Sequence, residues 1–235
     1  MEHKFSILLR DSGEQLSVSE FKNRSELSIN DVTGIILQTP MVGIVIALDE
    51  WREVKWGSKN LENEGFGEAE ALLVTSGFDL TKNIVEHQKA RGEEGTAAIK
   101  CWEYGVDGRQ WYLPCLHELW LMAAFREEFN DIIDQLGFDE SCQLDADYRW
   151  SSSEGYQTVA WYIGFSNGYF YNYYYGGNKY NSAVVRAVCA FSPLGNLSLP
   201  SKSQDASAMT DEELVIELRK RNFSGRVVKS IEYTV

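Results

Sequence analysis

The sequence predicts an α+β fold, and three patterns carry this prediction. Two β-branched runs, Gly34–Thr39 and Val42–Leu48, predict a hairpin with one well-buried strand. Apolar residues recur at helical spacing from Cys115 to Gly137. Beyond Gly137 the apolar residues alternate with a period of two as far as Phe191. We therefore expect helices and a sheet that come from separate stretches of the chain.

Composition and charge exclude several classes of function. The chain has 235 residues and a formal net charge of -13, which argues against a nucleic-acid partner because phosphate binding depends on clustered Lys and Arg. The longest apolar run, Val42–Leu48, is far too short for a membrane span. The N-terminus lacks the features of a signal peptide, so we expect synthesis in the cytoplasm, with association with a virion as one destination.

The four cysteines do not form a recognisable motif. Cys101, Cys115, Cys142 and Cys189 are widely spaced and include no CxxC pair, a pattern that disfavours a zinc site and a redox centre. We expect them to be buried, reduced thiols, and we predict no metal and no cofactor.

The first half of the chain contains shorter elements. Residues 1–30 are polar with isolated apolar pairs, and they are typical of a short strand or an attachment arm. A loop is expected at Asn60–Gly67, a helix at Asp79–Lys89 and a strand at Ala97–Trp102. The helical stretch that begins at Cys115 is expected to break into two helices near Phe129.

Alternation and turn residues predict the strands of the second half. Val159 to Phe165 should form a strand, with a tight turn at Ser166–Gly168 and a partner strand at Tyr169–Tyr175. Its Trp161, Ile163 and Phe165 side chains are expected to face inward, and the opposite face carries tyrosine. A closing strand is expected at Ala183–Phe191.

The composition divides the chain into three parts. Residues 1–30 are the predicted N-terminal arm, residues 31–192 the main domain, and residues 193–235 a linker followed by a small helix-strand appendage. A capping box at Thr210–Glu213 predicts the start of the appendage helix. The terminal segments are candidates for oligomer or virion contacts.

The stretch from Gly155 to Ser182 has the composition of a binding surface. It holds eight of the twelve tyrosines, interleaved with Asn, Ser, Gly and Thr, a mixture that gives rigid contact area together with adaptable hydrogen bonding. Packing within a sheet is the alternative explanation for the tyrosines. The positions expected to contact a ligand are Tyr156, Thr158, Tyr162, Ser166, Tyr169, Tyr171, Asn172, Tyr173, Tyr174, Tyr175, Asn178, Tyr180 and Asn181.

Several motifs occur in an order that resembles a known family. They are Trp111–Pro114, Glu118–Trp120, Tyr148–Glu154, Ala160–Trp161, Phe165–Gly168 and Val185–Val188. Together they resemble the C-type-lectin-fold variable proteins of diversity-generating retroelements, of the type found in gut Bacteroides and their phages. The resemblance covers residues 33–192.

This resemblance implies a C-type-lectin-like fold, with two helices packed on a twisted antiparallel sheet and a hypervariable segment at about residues 148–184. The family diversifies Asn codons at their adenines, and such codons never give Trp, Lys or Gln. Trp161 and Lys179 would then belong to the fixed framework, and Gln157 departs from the rule unless it too is fixed. The implied ligand is a protein or a cell-surface receptor, as for a phage tail or receptor-binding protein.

Three rival sites have weaker support. The motif Trp111–Pro114 also occurs in formylglycine-generating enzymes, but Cys189 has no partner for their copper-binding cysteine pair. Cys115 and His117 are two residues apart on a predicted helix and do not face each other. The acidic residues Asp145, Asp147 and Glu154 could bind calcium, although acids spaced in this way more often form a solvated loop.

The sequence therefore predicts a non-enzymatic ligand-binding protein that displays its tyrosine-rich surface to a protein or cell-surface partner. One alternative is an enzyme related to the formylglycine-generating enzymes or a calcium-dependent sugar-binding protein. Another is a structural subunit whose tyrosines lie in a homo-oligomer interface.

Overall fold

The computed structural model describes residues 4–40, 42–57, 68–156, 158–166, 170–171 and 177–191. Its strands are β1 (Lys4–Leu9), β2 (Gln15–Leu16), β3 (Val32–Gln38), β4 (Gly43–Lys55), β5 (Tyr148–Tyr156), β6 (Val159–Gly164), β7 (Phe170–Tyr171) and β8 (Ser182–Ala190). Its α-helices are α1 (Val18–Asn23), α2 (Glu68–Leu73), α3 (Phe78–Ala90), α4 (Ala97–Trp102), α5 (Leu116–Ala124) and α6 (Arg126–Leu136). Short 3-10 turns occur at Ile29–Asp31, Val106–Gly108 and Glu140–Cys142.

The strands form one mixed sheet in the order β2-β1-β3-β4-β8-β5-β6-β7. Neighbouring strands are antiparallel except β5 and β8, which run parallel with Arg149 opposite Val184. The pairing of β4 with β8 is irregular at two places, between Ile46 and Glu50 and between Trp51 and Val54. The strand from the N-terminus therefore shares a sheet with the strands that carry the tyrosines.

Both faces of this sheet are covered. Successive residues of a strand point to opposite faces, and on β3 the residues Ile35 and Leu37 join a hydrophobic cluster that contains side chains of α1, α5 and α6. Ile36, which lies between them, joins a second cluster with side chains of α3 and α4. Because the strands are buried on both sides, they appear in the sequence as nearly continuous apolar runs.

The expected architecture of two helices on an antiparallel sheet is wrong. The sheet is mixed, and helices pack against both of its faces. One source of the error is Ala97–Trp102, which is helix α4 rather than the expected strand. Its alanines favour a helix, and its buried residues, which include Ile99 and Cys101, complete the second cluster.

Several other elements are confirmed. The hairpin of β3 and β4, helix α3, the pairing of β6 with β7 and the closing strand β8 occur where the patterns predict them. The break between the two long helices lies at Phe125 instead of near Phe129. Phe129 is fully buried within α6, so its position is governed by core packing and not by a turn.

The chain divides into two units, Met1–Pro193 and Leu194–Val235. The N-terminal segment belongs to the first unit, because β1 pairs with β3 along its length and Ile7 is fully buried. It contributes a strand, the first of the two alternatives that its sequence allowed, so no division is seen at residue 30. The predicted linker and appendage at 193–235 lie outside the described residues. Within the described ranges, no helix is long and apolar enough to cross a membrane.

Candidate functional site

The exposed residues of the predicted surface, among those that the structure describes, lie at the two ends of strand β6. Ser166 is exposed just beyond its last residue, whereas Thr158, Tyr180 and Asn181 are exposed around its first residue. The six residues of β6 span roughly 17 Å from first to last at about 3.3 Å per residue, so the strand separates the two groups. Of the other predicted contacts, Tyr156 and Tyr171 are described as strand backbone only, and Tyr169, Asn172, Tyr173, Tyr174 and Tyr175 lie outside the described residues.

Tyr162, in the middle of β6, does not belong to an exposed surface. Its side chain is only 7% exposed, and its ring makes edge-to-face contacts with Trp150 and Tyr148, each with centroids 5.2 Å apart. The burial of Tyr162 contradicts the expectation that its side chain contacts a ligand. The alternation along β6 suggested one buried and one exposed face, but the second face of the strand is covered as well.

Tyr148 is an exposed aromatic residue at the far end of β6 that the list of predicted contacts missed. It is 47% exposed and pairs across the strands with Gly164. A Cβ atom on Gly164 would lie 2.7 Å from the Tyr148 ring, so the ring lies directly over the glycine. A glycine at the end of an apolar strand is a signal for such a close approach, and it could have pointed to Tyr148.

The other end of β6 is held by backbone hydrogen bonds. The amide of Ala160 donates to the carbonyl of Gly177 at 2.9 Å, and the amide of Lys179 donates to the carbonyl of Thr158 at 3.1 Å. The side chain of Asn178 accepts a hydrogen bond from the amide of Tyr180 at 3.0 Å, so this predicted contact residue also closes a local turn. These bonds hold Tyr180, which is 45% exposed, beside the start of β6.

The buried side chain of Lys179 holds this turn against the interior of the protein. Its ammonium group is fully buried, forms an ion pair with Glu154 and lies 4.5 Å from the centroid of the Trp56 ring. Its carbonyl accepts hydrogen bonds from the amides of Trp56 and Gly57 at 3.1 and 3.3 Å. Burial lowers the pKa of Lys179, and the charge of Glu154 opposes this shift. Lys179 and Trp161, expected to be framework residues, are both buried.

A second buried ion cluster lies at the start of β5. The side chain of Glu50 accepts from Arg149 at 2.9 Å and from Arg186 at 2.6 Å, and both guanidinium groups are fully buried. Glu50 and Arg186 are cross-strand partners beside the irregular pairing of β4 with β8. The guanidinium of Arg149 also lies 4.5 Å from the centroid of the Phe165 ring. The cluster joins β4, β5 and β8.

The acidic residues considered as calcium ligands are instead engaged with cations. Asp145 and Asp147 both bind Arg52, and Asp145 also binds Arg149 at 2.8 Å. Burial raises the pKa of Asp145, but hydrogen bonding to Arg52 and the charge of Arg149 outweigh burial and lower this pKa to about 2. Glu154, the third candidate, lies apart in the ion pair with Lys179. No group of three or more His, Cys, Asp or Glu side chains able to hold a metal occurs in the described part of the chain.

Cys115 and His117 take different partners. The thiol of Cys115 is buried and donates to the carbonyl of Val74 at 3.0 Å, and burial raises its pKa well above the ordinary value. Nδ1 of His117 lies 3.1 Å from the carbonyl of Leu72. A nucleophilic thiol needs a lowered pKa, whereas burial and the charge of the neighbouring Glu118 raise the pKa of Cys115. The arrangement agrees with a structural role for both residues.

The comparisons with known proteins give one likeness in fold. No family model matches the chain, and no curated protein matches it. Among solved structures, the chain is similar to a fimbrial protein from Bacteroides ovatus, with a TM-score of 0.58 and 14% sequence identity. The match covers 79% of this chain and 48% of the fimbrial chain, so this chain spans about half the length of its structural neighbour.

The resemblance to retroelement variable proteins is wrong, and so are the C-type lectin fold, the hypervariability and the phage origin that it implied. The fold comparison leads to a fimbrial protein instead. The motifs behind the resemblance form much of the core, since Trp111, Trp150 and Val185 are almost fully buried. The residues of these motifs are therefore explained by packing in the core. Core packing of aromatic side chains and hydroxyl groups does not by itself identify a family.

Proposed function

We propose that this chain is a protein-binding subunit of a surface assembly and that exposed side chains at the two ends of β6 contact its protein partner. The observation that carries this proposal is the placement of Tyr148 and Tyr180, two of the few large apolar side chains with substantial exposure among the described residues. Exposed aromatic residues that are held rigidly give contact area at a low entropic cost.

The local structure that holds both tyrosines supports the proposal. Tyr148 packs over Gly164 and against Tyr162, and the backbone of Tyr180 is fixed by Asn178 and follows the buried Lys179. Preorganised side chains lose little freedom on binding, so more of their contact energy appears as affinity. The sequence extends the proposed surface to the tyrosines at 169 and 173–175, which lie outside the described residues.

The structural neighbour supports the kind of partner. That protein is described as fimbrial, and a fimbria is an assembly held together by contacts between protein subunits. We infer that this chain likewise engages protein surfaces and has no enzymatic activity. The buried Cys115 thiol supports the absence of a nucleophilic site at this position.

Binding to cells of the organism that encodes the chain tests the proposal. The labelled protein is compared with the double variant Tyr148→Ser/Tyr180→Ser by flow cytometry over a range of concentrations. Truncation of an aromatic hot spot costs about 2 kcal/mol or more, so we expect the apparent Kd to rise by at least roughly 30-fold. The control is Leu73→Ser, because Leu73 is 80% exposed and lies on α2. Equal loss in both variants, or no loss in the double variant, would contradict the proposal.

A structural subunit that self-associates is the second candidate, and the fimbrial neighbour favours it. Sedimentation velocity separates the two candidates, because it measures assembly of the pure chain without another partner. If the chain forms oligomers that the double variant converts to monomers, the tyrosines lie in a subunit interface. If both proteins are monomeric and only cell binding is lost, the partner is a different protein.

A further inference from the structure

Gly164, the last residue of β6, forms the floor beneath the exposed ring of Tyr148. A Cβ atom on Gly164 would lie 2.7, 3.1 and 3.5 Å from Cε1, Cδ1 and Cζ of Tyr148, which are the three nearest atoms outside its chain neighbours. Gly164 is buried, although Tyr148 above it is 47% exposed. The ring therefore occupies the space that a side chain at position 164 would fill.

The backbone of Gly164 does not require a glycine. Its φ lies outside the left-handed region, and it pairs with Tyr148 in a regular part of the β5–β6 ladder. Glycine within a strand lowers stability, because it loses more conformational freedom on folding and offers no side chain to pack. The close approach of the Tyr148 ring is thus what accounts for a glycine at this position.

Two other closely packed glycines differ from Gly164 in what surrounds them. A Cβ atom on Gly34 would lie 2.4 Å from the carbonyl oxygen of Ile46. A Cβ atom on Gly77 would lie 2.4 Å from the carbonyl oxygen of Leu113. A side chain at either position must displace the backbone, whereas the atoms nearest to position 164 belong to one half-exposed side chain that can rotate into the solvent. A methyl group at 164 therefore redirects the ring and leaves the backbone in place.

A buried aromatic pair holds the Tyr148 ring from the side. The ring of Tyr162, which is 7% exposed, stands at 84° to that of Tyr148 with the centroids 5.2 Å apart. Tyr162 also packs edge-to-face against Trp150, which is 1% exposed, again at 5.2 Å. Such perpendicular contacts are favourable because the edge of one ring is positive and the face of the other is negative. Tyr148 therefore has a floor and a wall that both belong to the packed interior.

We propose that Gly164 and Tyr162 form a socket that orients the Tyr148 ring toward the protein partner, so that Gly164 sets the affinity without touching that partner. This inference rests on the proposed function, because it concerns one of the two tyrosines that carry it. An oriented ring loses little freedom on binding, whereas a ring that has rotated away must be ordered again in the complex. Tyr162, which the sequence pattern predicted to contact a ligand, is then a positioning residue.

Replacement of Gly164 with Ala tests the socket in the full chain. Binding of the labelled wild type, Gly164→Ala, Tyr148→Ser and the double variant to cells of the organism that encodes the chain is measured by flow cytometry. We expect each single variant to raise the apparent Kd by roughly 10-fold or more. Gly164→Ala should add nothing to the loss in the Tyr148→Ser background, because the ring that it redirects is absent. The matched control is Gly105→Ala, which should bind as the wild type does, since the nearest atom to its added Cβ would be 3.9 Å away.

Two further measurements separate orientation of the ring from damage to the fold. The urea midpoint of Gly164→Ala should equal that of the wild type, whereas Gly34→Ala should unfold at lower urea. In NMR spectra, contacts between the ring protons of Tyr148 and Tyr162 should be lost in Gly164→Ala, while those between Tyr162 and Trp150 persist.

The outcomes distinguish the socket from the proposed function. If Tyr148→Ser binds weakly and Gly164→Ala binds as the wild type does, the socket is wrong and the proposed function stands. A urea midpoint as low for Gly164→Ala as for Gly34→Ala would also overturn the socket, because the added methyl group would then disturb the backbone. If Tyr148→Ser itself binds as the wild type does, Tyr148 is not a contact residue, and both the proposed function at this tyrosine and the role of its socket in binding are contradicted.

Discussion

The two ends of strand β5 are both held by buried ion pairs, but the charges are arranged in opposite ways. At its start, β5 supplies the cation Arg149, and Glu50 of β4 supplies the acid. Near its end, β5 supplies the acid Glu154, and Lys179, from the segment before β8, supplies the cation. The first end joins three neighbouring strands, whereas the second end lies beneath the exposed Tyr180.

The two ends differ in how their cations are satisfied. Arg186 donates to Glu50 and also to the carbonyls of Ala47, Leu48, Cys142 and Gln143. The ammonium of Lys179 faces the Glu154 carboxylate and the Trp56 ring. An arginine fork can bind many acceptors in a fixed geometry, whereas an ammonium group is a compact point charge. We infer that the first cluster stabilises the whole sheet and that the second positions the turn at Tyr180.

Replacement of Glu50 with Gln should give the largest loss of stability. One carboxylate serves both Arg149 and Arg186, so its removal leaves two buried guanidinium groups with less compensation. Loss of one partner from a buried ion pair typically costs about 3 to 5 kcal/mol. We expect Glu50→Gln to lower the free energy of unfolding in urea by an amount of this order, with the whole sheet affected.

The matched control is Glu86→Gln, since Glu86 is an exposed residue of α3. This substitution removes the same charge and should change stability by less than about 0.5 kcal/mol. If the two variants unfolded at the same urea concentration, the cluster at the start of β5 would not be the stabilising element that we infer.

Replacement of Lys179 with Met should have a smaller and more local effect. It leaves Glu154 buried without its cation, but Met keeps most of the apolar contact with Trp56. We expect Lys179→Met to lower the free energy of unfolding by about 2 to 3 kcal/mol. The double variant Lys179→Met/Glu154→Gln should recover a part of this loss, because a neutral pair removes the uncompensated charge. Urea unfolding of the four proteins in this cycle gives the coupling energy.

The location of the amides whose hydrogen exchange increases distinguishes the two ends of β5. In Lys179→Met, exchange of the Tyr180 and Asn181 amides should increase more than exchange of the amides of β4 and β8, because the turn at Asn178 depends on the anchor below it. Uniform acceleration across the sheet would mean that the second end also stabilises the whole fold and that the contrast with Glu50 is wrong.

Local patterns in the sequence predicted much of the secondary structure. The spacing of Ile84 and Val85 predicted α3, and the alternation around Trp161 and Ile163 predicted β6. Periodicity succeeds in these cases because each element buries a defined set of its own side chains. Lys179 was assigned to a fixed framework only through a family resemblance that the fold comparison overturns, and no pattern in the sequence predicted its burial.

The layers of the fold could not be predicted in the same way. Whether Tyr162 is exposed depends on a second layer of helices, and nothing within β6 reports that layer. Ala97–Trp102 is short and apolar, and such a run is compatible with a strand as well as with a helix. The pairing of Glu50 with Arg186 depends on contact between strands far apart in the chain. These features are set by tertiary contacts, which local spacing does not encode.

Replacement of Arg52 with Gln should give the smallest effect at the start of β5. Its side chain is 52% exposed, although it binds Glu50, Asp145 and Asp147. Solvent screens such pairs, so we expect Arg52→Gln to lower the free energy of unfolding by less than about 1 kcal/mol. This difference should disappear in about 1 M salt. The pKa of Asp145 is lowered to about 2 in the folded state. The stability that ionised Asp145 contributes is therefore present above the pKa of the unfolded state and is lost as pH falls through the pKa of the folded state. The difference between wild type and variant should therefore also shrink below about pH 3. A loss as large as that of Glu50→Gln, unchanged by salt, would place Arg52 within the buried cluster, and the stabilising element would then extend to the surface of the protein.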